Sequence, residues 1–205
     1  SEMCIRDRPS TRPYEIVFGG IDGKVRLGQL RTNKSDGLYK HAGGAACVSV
    51  CASLDGVAVL SGHLDGSVYR LSLGDGGGRE AKLFTHSCAP YALSWGASVL
   101  AAGSDGKVCF YDSGSGAQVG SFDYSDELGT SSDFGCAAFN PAGHAAVAGS
   151  FDKFYVFTRS SGGALGAGAQ WQEASVKSLE NMYTLGALCW RPDGSRLAVG
   201  GLCGG

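Results

Sequence analysis

No apolar run in the chain approaches the roughly 18 residues that a membrane-spanning helix needs, so no segment reads as one. Excess positive charge is also missing. The chain carries 17 Lys and Arg against 19 Asp and Glu, a net charge of −2. Neutralising phosphates takes a surplus of basic side chains, so the balance argues against a nucleic-acid partner. No Cys-x-x-Cys occurs, and Cys47-x3-Cys51 has no second pair to complete a zinc site. Ser61-Gly62-His63 is not part of a Gly-x-Ser-x-Gly elbow. The run Gly74-Asp75-Gly76-Gly77-Gly78-Arg79 lacks the Gly-Lys-Ser/Thr ending of a phosphate-binding loop and reads as a blade loop. Residues 1–13 are charged, contain proline, have no period and lack the apolar stretch of a secretion signal. We expect a disordered leader or non-native extension there and leave it out of the fold.

Glycine is abundant, with 34 residues, and 43% of the chain is hydrophobic, enough for a packed core. Eight cysteines are present, but this is not a small secreted scaffold held by disulfides. Cys51, Cys109, Cys136 and Cys189 fall inside apolar strand patterns, which points to reduced thiols acting as small hydrophobes.

One short pattern recurs. Gly62-His63-Leu64-Asp65-Gly66 reappears as Gly19-Gly20-Ile21-Asp22-Gly23, as Gly103-Ser104-Asp105-Gly106, and without the second glycine as Gly149-Ser150-Phe151-Asp152-Lys153. Its aspartates recur every 40 to 47 residues, with apolar, strand-like residues on both sides. Asp-Gly between two such runs signals a tight hairpin, because both residues tolerate positive φ. A hairpin at this period signals a propeller.

The surrounding runs divide into four-strand units. Strands are expected at 15–19, 24–27 and 38–40, with a polar turn at 32–37. The next unit has strands at 47–52, 57–61, 68–73 and 82–84, and the next at 90–95, 99–102, 107–111 and 118–122. The last full unit has strands at 135–139, 145–149, 154–158 and 171–176, with a Gly/Ala/Ser loop at 160–169. Runs at 185–190 and 196–199 open another. We therefore expect an all-β, incomplete propeller of about four blades or blade parts out of seven, with parts at 14–41, 46–86, 89–123, 134–179 and 183–205.

The repetition also decides how single residues are read. Asp22, Asp65, Asp105 and Asp152 are one per blade, so they read as turn-capping residues rather than convergent catalytic acids. His41, His63, His86 and His144 are too scattered for a metal site, and His86 is expected to pair with a turn aspartate. Trp95, Phe139 and Trp190 recur at blade spacing and read as core, whereas Trp171 is less constrained. Asp123-Tyr124-Ser125-Asp126-Glu127 reads as a solvated acidic connection, with contact to a basic partner as the alternative. No catalytic, cofactor-binding or metal-ligating residue is assigned.

Asp105-Gly106-Lys107-Val108-Cys109-Phe110-Tyr111-Asp112 resembles the WD40 repeat, with Tyr111-Asp112 at the Trp-Asp position and His86 at the family's histidine. Gly28-Gln29, Leu71-Ser72 and Thr158-Arg159 replace Trp-Asp elsewhere. Several segments together are similar to the N-terminal propeller region of a family of large peripheral subunits of intraflagellar transport complex B. They are Thr32-Asn33-Lys34-Ser35, Leu60-Ser61-Gly62-His63-Leu64-Asp65-Gly66, Pro90-Tyr91-Ala92-Leu93-Ser94-Trp95, Ser121-Phe122-Asp123-Tyr124-Ser125 and the run from Cys189 to Gly205. Residues 160–169 depart from it in length and composition. The resemblance implies a non-catalytic interaction scaffold, other protein subunits of that complex as partners, no cofactor, and a place in the cilium and cytoplasm, at the ciliary base and axoneme. The alternatives are a WD40 scaffold of another transport or coat complex, or a propeller hydrolase with its site in the central channel. Further blades followed by helical repeats in a longer transcript would favour the first reading. Turnover lost on substituting Asp65 or Asp105 would favour the last.

An open arc of blades leaves strand edges unpaired. The chain expressed alone should therefore self-associate in analytical ultracentrifugation, and a monomeric, cooperatively melting preparation would overturn this expectation.

Overall fold

The computed structural model describes residues 5–7, 14–53, 55–74, 80–131, 133–160 and 170–203. Four antiparallel meanders follow one another. The first comprises β1 (Ile5–Asp7), β2 (Glu15–Gly19), β3 (Lys24–Gln29) and β4 (Lys34–Lys40). The second comprises β5 (Cys47–Ala52), β6 (Ala58–His63), β7 (Ser67–Ser72) and β8 (Glu80–Thr85). The third comprises β9 (Ala92–Trp95), β10 (Val99–Ala102), β11 (Lys107–Tyr111) and β12 (Gln118–Asp123). The fourth comprises β13 (Cys136–Phe139), β14 (Ala145–Gly149), β15 (Lys153–Arg159) and β16 (Trp171–Ser178). A hairpin of β17 (Met182–Trp190) and β18 (Leu197–Cys203) opens a fifth. The first strands β5, β9, β13 and β17 touch in succession and form the inner side of the arc. These are the propeller blades that the hairpin period implied.

Alternation decides which residues meet. In β10, Val99 and Ala101 face the second blade, while Leu100 and Ala102 face the fourth. In β11, Cys109 and Tyr111 face the second blade, while Val108 and Phe110 face the fourth. Successive side chains of a strand point to opposite faces, so a strand between two blades, such as β10, has no solvent-facing side. The outer strands β4, β8 and β12 are largely exposed. Each core is thus a seam between neighbouring blades. The first seam packs Val17, Val25 and Leu27 on Val50, Val59 and Leu71. The third seam is aromatic. Phe110 stacks on Trp171 with centroids 4.2 Å apart and meets Phe157 edge-on at 5.4 Å.

Four expectations need correction. Residues 5–7, excluded by their composition, form β1 and pair with β2 from Ile5↔Gly19 to Asp7↔Val17. Backbone pairing needs only a free strand edge and no side-chain period. The other residues of 1–13 lie outside the described residues. The polar turn at 32–37 closes early, because Asn33 takes φ 54° and β4 already pairs with β3 at Lys34↔Gln29. Trp171 is a buried anchor, not a loosely held side chain, and its Nε1 donates to Ser98 Oγ at 3.2 Å. The acidic connection is a short helix, α1 (Ser125–Leu128), followed by a 3-10 turn at Gly129–Ser131. Tyr124 enters the third seam, and Glu127 accepts from Lys153 Nζ at 2.8 Å. Residues 75–79 and 161–169, the two glycine-rich loops, lie outside the described residues.

Phe110→Ala should cost about 3–5 kcal/mol in denaturant unfolding, since it empties the centre of the third seam. Gly66 has φ 84°, and a Cβ there would sit 2.4 Å from the His86 carbonyl oxygen. Gly66→Ala should cost about 1–3 kcal/mol. Gly37, with nothing within 4 Å of its would-be Cβ, should tolerate Ala within about 0.5 kcal/mol.

Candidate functional site

The recurring hairpins form one edge of the arc, and their chemistry is repeated. Asp22, Asp65 and Asp105 each accept, through Oδ1, the backbone N–H two residues on, at 3.1, 3.0 and 3.1 Å. Gly23, Gly66 and Gly106 follow them with φ of 71°, 84° and 72°. Each hairpin also holds the chain as it leaves the blade's outer strand. The N–H groups of His41, His86 and Tyr124 donate to the carbonyls of Gly23, Gly66 and Gly106, each at 2.9 Å. In the fourth blade Leu179 N–H donates to Asp152 O at 2.8 Å, and Lys153 pairs with Ser178 as Ser67 pairs with Thr85, so Asp152 stands in the glycine's place and not in that of the capping aspartates.

At the first seam this edge gathers two histidines. His41 Nδ1 accepts from the N–H groups of Gly43 and Ala45 at 3.1 and 3.2 Å. Its proton therefore sits on Nε2, which lies 3.2 Å from both Ser67 Oγ and Asp65 Oδ2. His63 is fully buried, donates from Nδ1 to Ala45 O at 3.1 Å and accepts at Nε2 from Ser61 Oγ at 3.1 Å. The two imidazoles lie 4.7 Å apart, flanked by Tyr39 and Tyr69. Burial pushes the His63 pKa down. Burial works against the Asp65 carboxylate, but the Ser67 hydroxyl and N–H and the histidines outweigh it and hold it below the usual range.

The second seam differs. His86 is 3% exposed, and its Nδ1 lies 2.9 Å from the Tyr111 hydroxyl. Its Nε2 has no hydrogen-bond partner. The expected pairing with a turn aspartate is thus not a direct hydrogen bond: Asp105 accepts from Ser87 Oγ and from Lys107 N–H. Cys88 lies beside them. The donor atoms of His86, Cys88 and Asp105 all fall within 4.8 Å of one another. The histidines, scattered along the sequence, do not announce this group. The spacing His86-x-Cys88 was visible, but Asp105 joins it only through the next blade's hairpin.

The remaining candidates stay apart. Asp22 pairs with Arg26 at 2.6 Å, which holds its carboxyl near about 2. His144 is exposed in a turn. Phe139 is buried in the third seam, Trp95 packs on the second, and Trp190 Nε1 donates to Ala138 O at 3.3 Å. Burial pushes the Cys47 and Cys136 thiols up to about 12, in keeping with unreactive packing residues. A groove of about 620 Å³ is lined by Val48 of β5, Tyr91, Ser104, Asp133, Phe134, Gly135 and Gly186 of β17. Among the described residues its lining holds one carboxylate, Asp133, and no His or Cys. No helix among the described residues is long and apolar enough to cross a membrane.

Burial depresses the His63 and His86 pKa values in the fold, whereas in the unfolded chain they protonate near the ordinary histidine value of about 6.5. Below that pH the unfolded state binds more protons, so stability falls as pH drops. Asp65 and Asp105, with lowered pKa values, lose their stabilising effect only below about pH 4. Tm should therefore decline between about pH 6.5 and pH 5, and His63→Gln should flatten part of that decline in calorimetry.

No protein-family model matches the chain. Intraflagellar transport protein 172 of Chlamydomonas reinhardtii is 41% identical over 201 residues, which cover 96% of this chain and 11% of that protein. The homologs of Danio rerio and Homo sapiens are 42% and 41% identical over 195 residues, which cover 94% of this chain and 11% of theirs. The chain thus spans about a tenth of the length of the curated relatives it matches. Among solved structures, a chain of the mitotic checkpoint complex superposes with a TM-score of 0.74 at 19% identity, covering 96% of this chain and 56% of that one. That likeness concerns the fold alone, a WD40 propeller. By its blades and by its sequence, the chain is a WD40-type propeller segment that resembles intraflagellar transport protein 172 over nearly its whole length.

Proposed function

We propose that the chain is a non-catalytic interaction scaffold, a propeller segment of an intraflagellar transport complex B subunit that serves ciliary transport and assembly. Its partners are other protein subunits of that complex. It works in the cilium and cytoplasm, at the ciliary base and along the axoneme. The observation that carries this reading is the 41% identity to intraflagellar transport protein 172 across 96% of the chain. The physical design agrees with it. Seams packed on both sides make a rigid arc, and rigid surfaces lose little freedom on binding. The hairpin edge presents Ile21, Leu64 and Phe151, each one residue before the turn aspartate and 60%, 54% and 41% exposed. A few apolar anchors of this kind dominate most protein interfaces.

The test is a chimaera. In Chlamydomonas reinhardtii cells lacking their own intraflagellar transport protein 172, a version carrying this chain in place of the matching stretch should restore flagella. It should also co-sediment with the other transport subunits. A chimaera that accumulates to normal levels yet neither co-sediments nor restores flagella would overturn the reading.

A further inference from the structure

We propose that His86, Cys88 and Asp105 form a binding site for one divalent transition metal of the zinc class, at the seam between the second and third blades. The donor set is one imidazole nitrogen, one sulfur and one carboxylate, a mixture that suits borderline-soft cations and not calcium or magnesium. The donor atoms lie within 4.8 Å of one another. Tetrahedral zinc holds sulfur at about 2.3 Å and nitrogen or oxygen at about 2.0–2.2 Å, so its donors stand roughly 3.5 Å apart. Binding requires the donors to draw together by about 1 Å.

The observation that points to a ligand is His86 itself. The residue is 3% exposed, and its Nδ1 is engaged by the Tyr111 hydroxyl at 2.9 Å. Its Nε2 is buried with no hydrogen-bond partner, which native folds rarely leave unanswered. The aspartate at the equivalent turn position does not satisfy it, because the Asp105 oxygens accept from Ser87 Oγ and Lys107 N–H. Those two bonds fix the carboxylate's orientation, and a carboxylate oxygen has a second lone pair to offer a cation. The backbone around the site is also held, since His86 N–H donates to Gly66 O at 2.9 Å. Cys88 is only half-buried, which leaves a path for the ion to enter. Three protein donors leave a fourth position for water.

Burial pushes the His86 pKa down and the Cys88 thiol pKa up. Coordination therefore breaks the Cys88 S–H bond, forms an S–metal bond and releases one proton to solvent. No group changes oxidation state. Affinity rises with pH accordingly.

Cobalt(II) chloride added to the reduced, metal-free chain should bind at one equivalent and give thiolate-to-cobalt charge-transfer absorption, which zinc(II) chloride then removes. Cys88→Ser should abolish that absorption without changing the metal-free circular dichroism spectrum, whereas Cys189→Ser, at an exposed cysteine, should leave it intact. His86→Gln and Asp105→Asn should each weaken binding at least tenfold. The site lies within one pair of adjacent blades, so the absorption is read equally on monomeric or associated chain. No thiolate absorption, absorption that survives Cys88→Ser, or unchanged affinity in both His86→Gln and Asp105→Asn would overturn the proposal. None of these outcomes bears on the ciliary reading, which the chimaera tests separately.

Discussion

The middle strands β6, β10 and β11 of the second and third blades are buried on both faces, and the rest of the structure follows from that constraint. A strand such as β10 has no solvent side on which to place a polar residue. Its four residues Val99-Leu100-Ala101-Ala102 are all buried, and adjacent ones serve different seams. Any polar group that does enter a seam must find a partner there, because water cannot reach it. The seams answer this differently. The first encloses two histidines and satisfies both ring nitrogens of each. The third is almost wholly aromatic, with Phe110, Phe157 and Trp171 in mutual contact. Among the described residues, a buried imidazole nitrogen is left over in the second. The blades therefore share a backbone plan but are not interchangeable, since each presents faces shaped for its own neighbours.

Much of this was legible in the sequence because it is local. The Asp-Gly turns need only two residues with the right backbone freedom, and Gly23, Gly66 and Gly106 all take positive φ. β2, β5, β10, β11 and β14 have the bounds that their apolar runs implied. What was not legible depends on partners distant in the chain. β1 exists because β2 offers an edge, and nothing within residues 5–7 announces it. Trp171 follows a run of small residues that carries no period, yet its ring lands on Phe110. Tyr124 sits in an acidic stretch but is drawn into the third seam, where its hydroxyl donates to Glu173. The histidines look scattered in sequence because the blades that unite them are separate words in the chain. His41 meets Asp65, and His86 approaches Asp105, each across one blade boundary.

This division has a functional counterpart. A scaffold must keep its outline while its surface is occupied, and here the rigid part and the available part are separated along each strand order. Inner and middle strands are consumed by the seams, while the outer strands and hairpin tips face solvent. The inner groove, with Asp133 as its one carboxylate among the described residues, offers shape rather than reactive groups.

The bond between each hairpin carbonyl and the chain leaving the outer strand is made entirely by backbone atoms. It is present at Gly23, Gly66 and Gly106, and again at Asp152, where both glycine and histidine have been replaced. A joint that ignores side chains places little demand on the letters around it. Over generations the consensus at these corners can erode copy by copy while the corners themselves persist. The repeat is inherited as a geometry, and its spelling is free to drift toward whatever each blade must do.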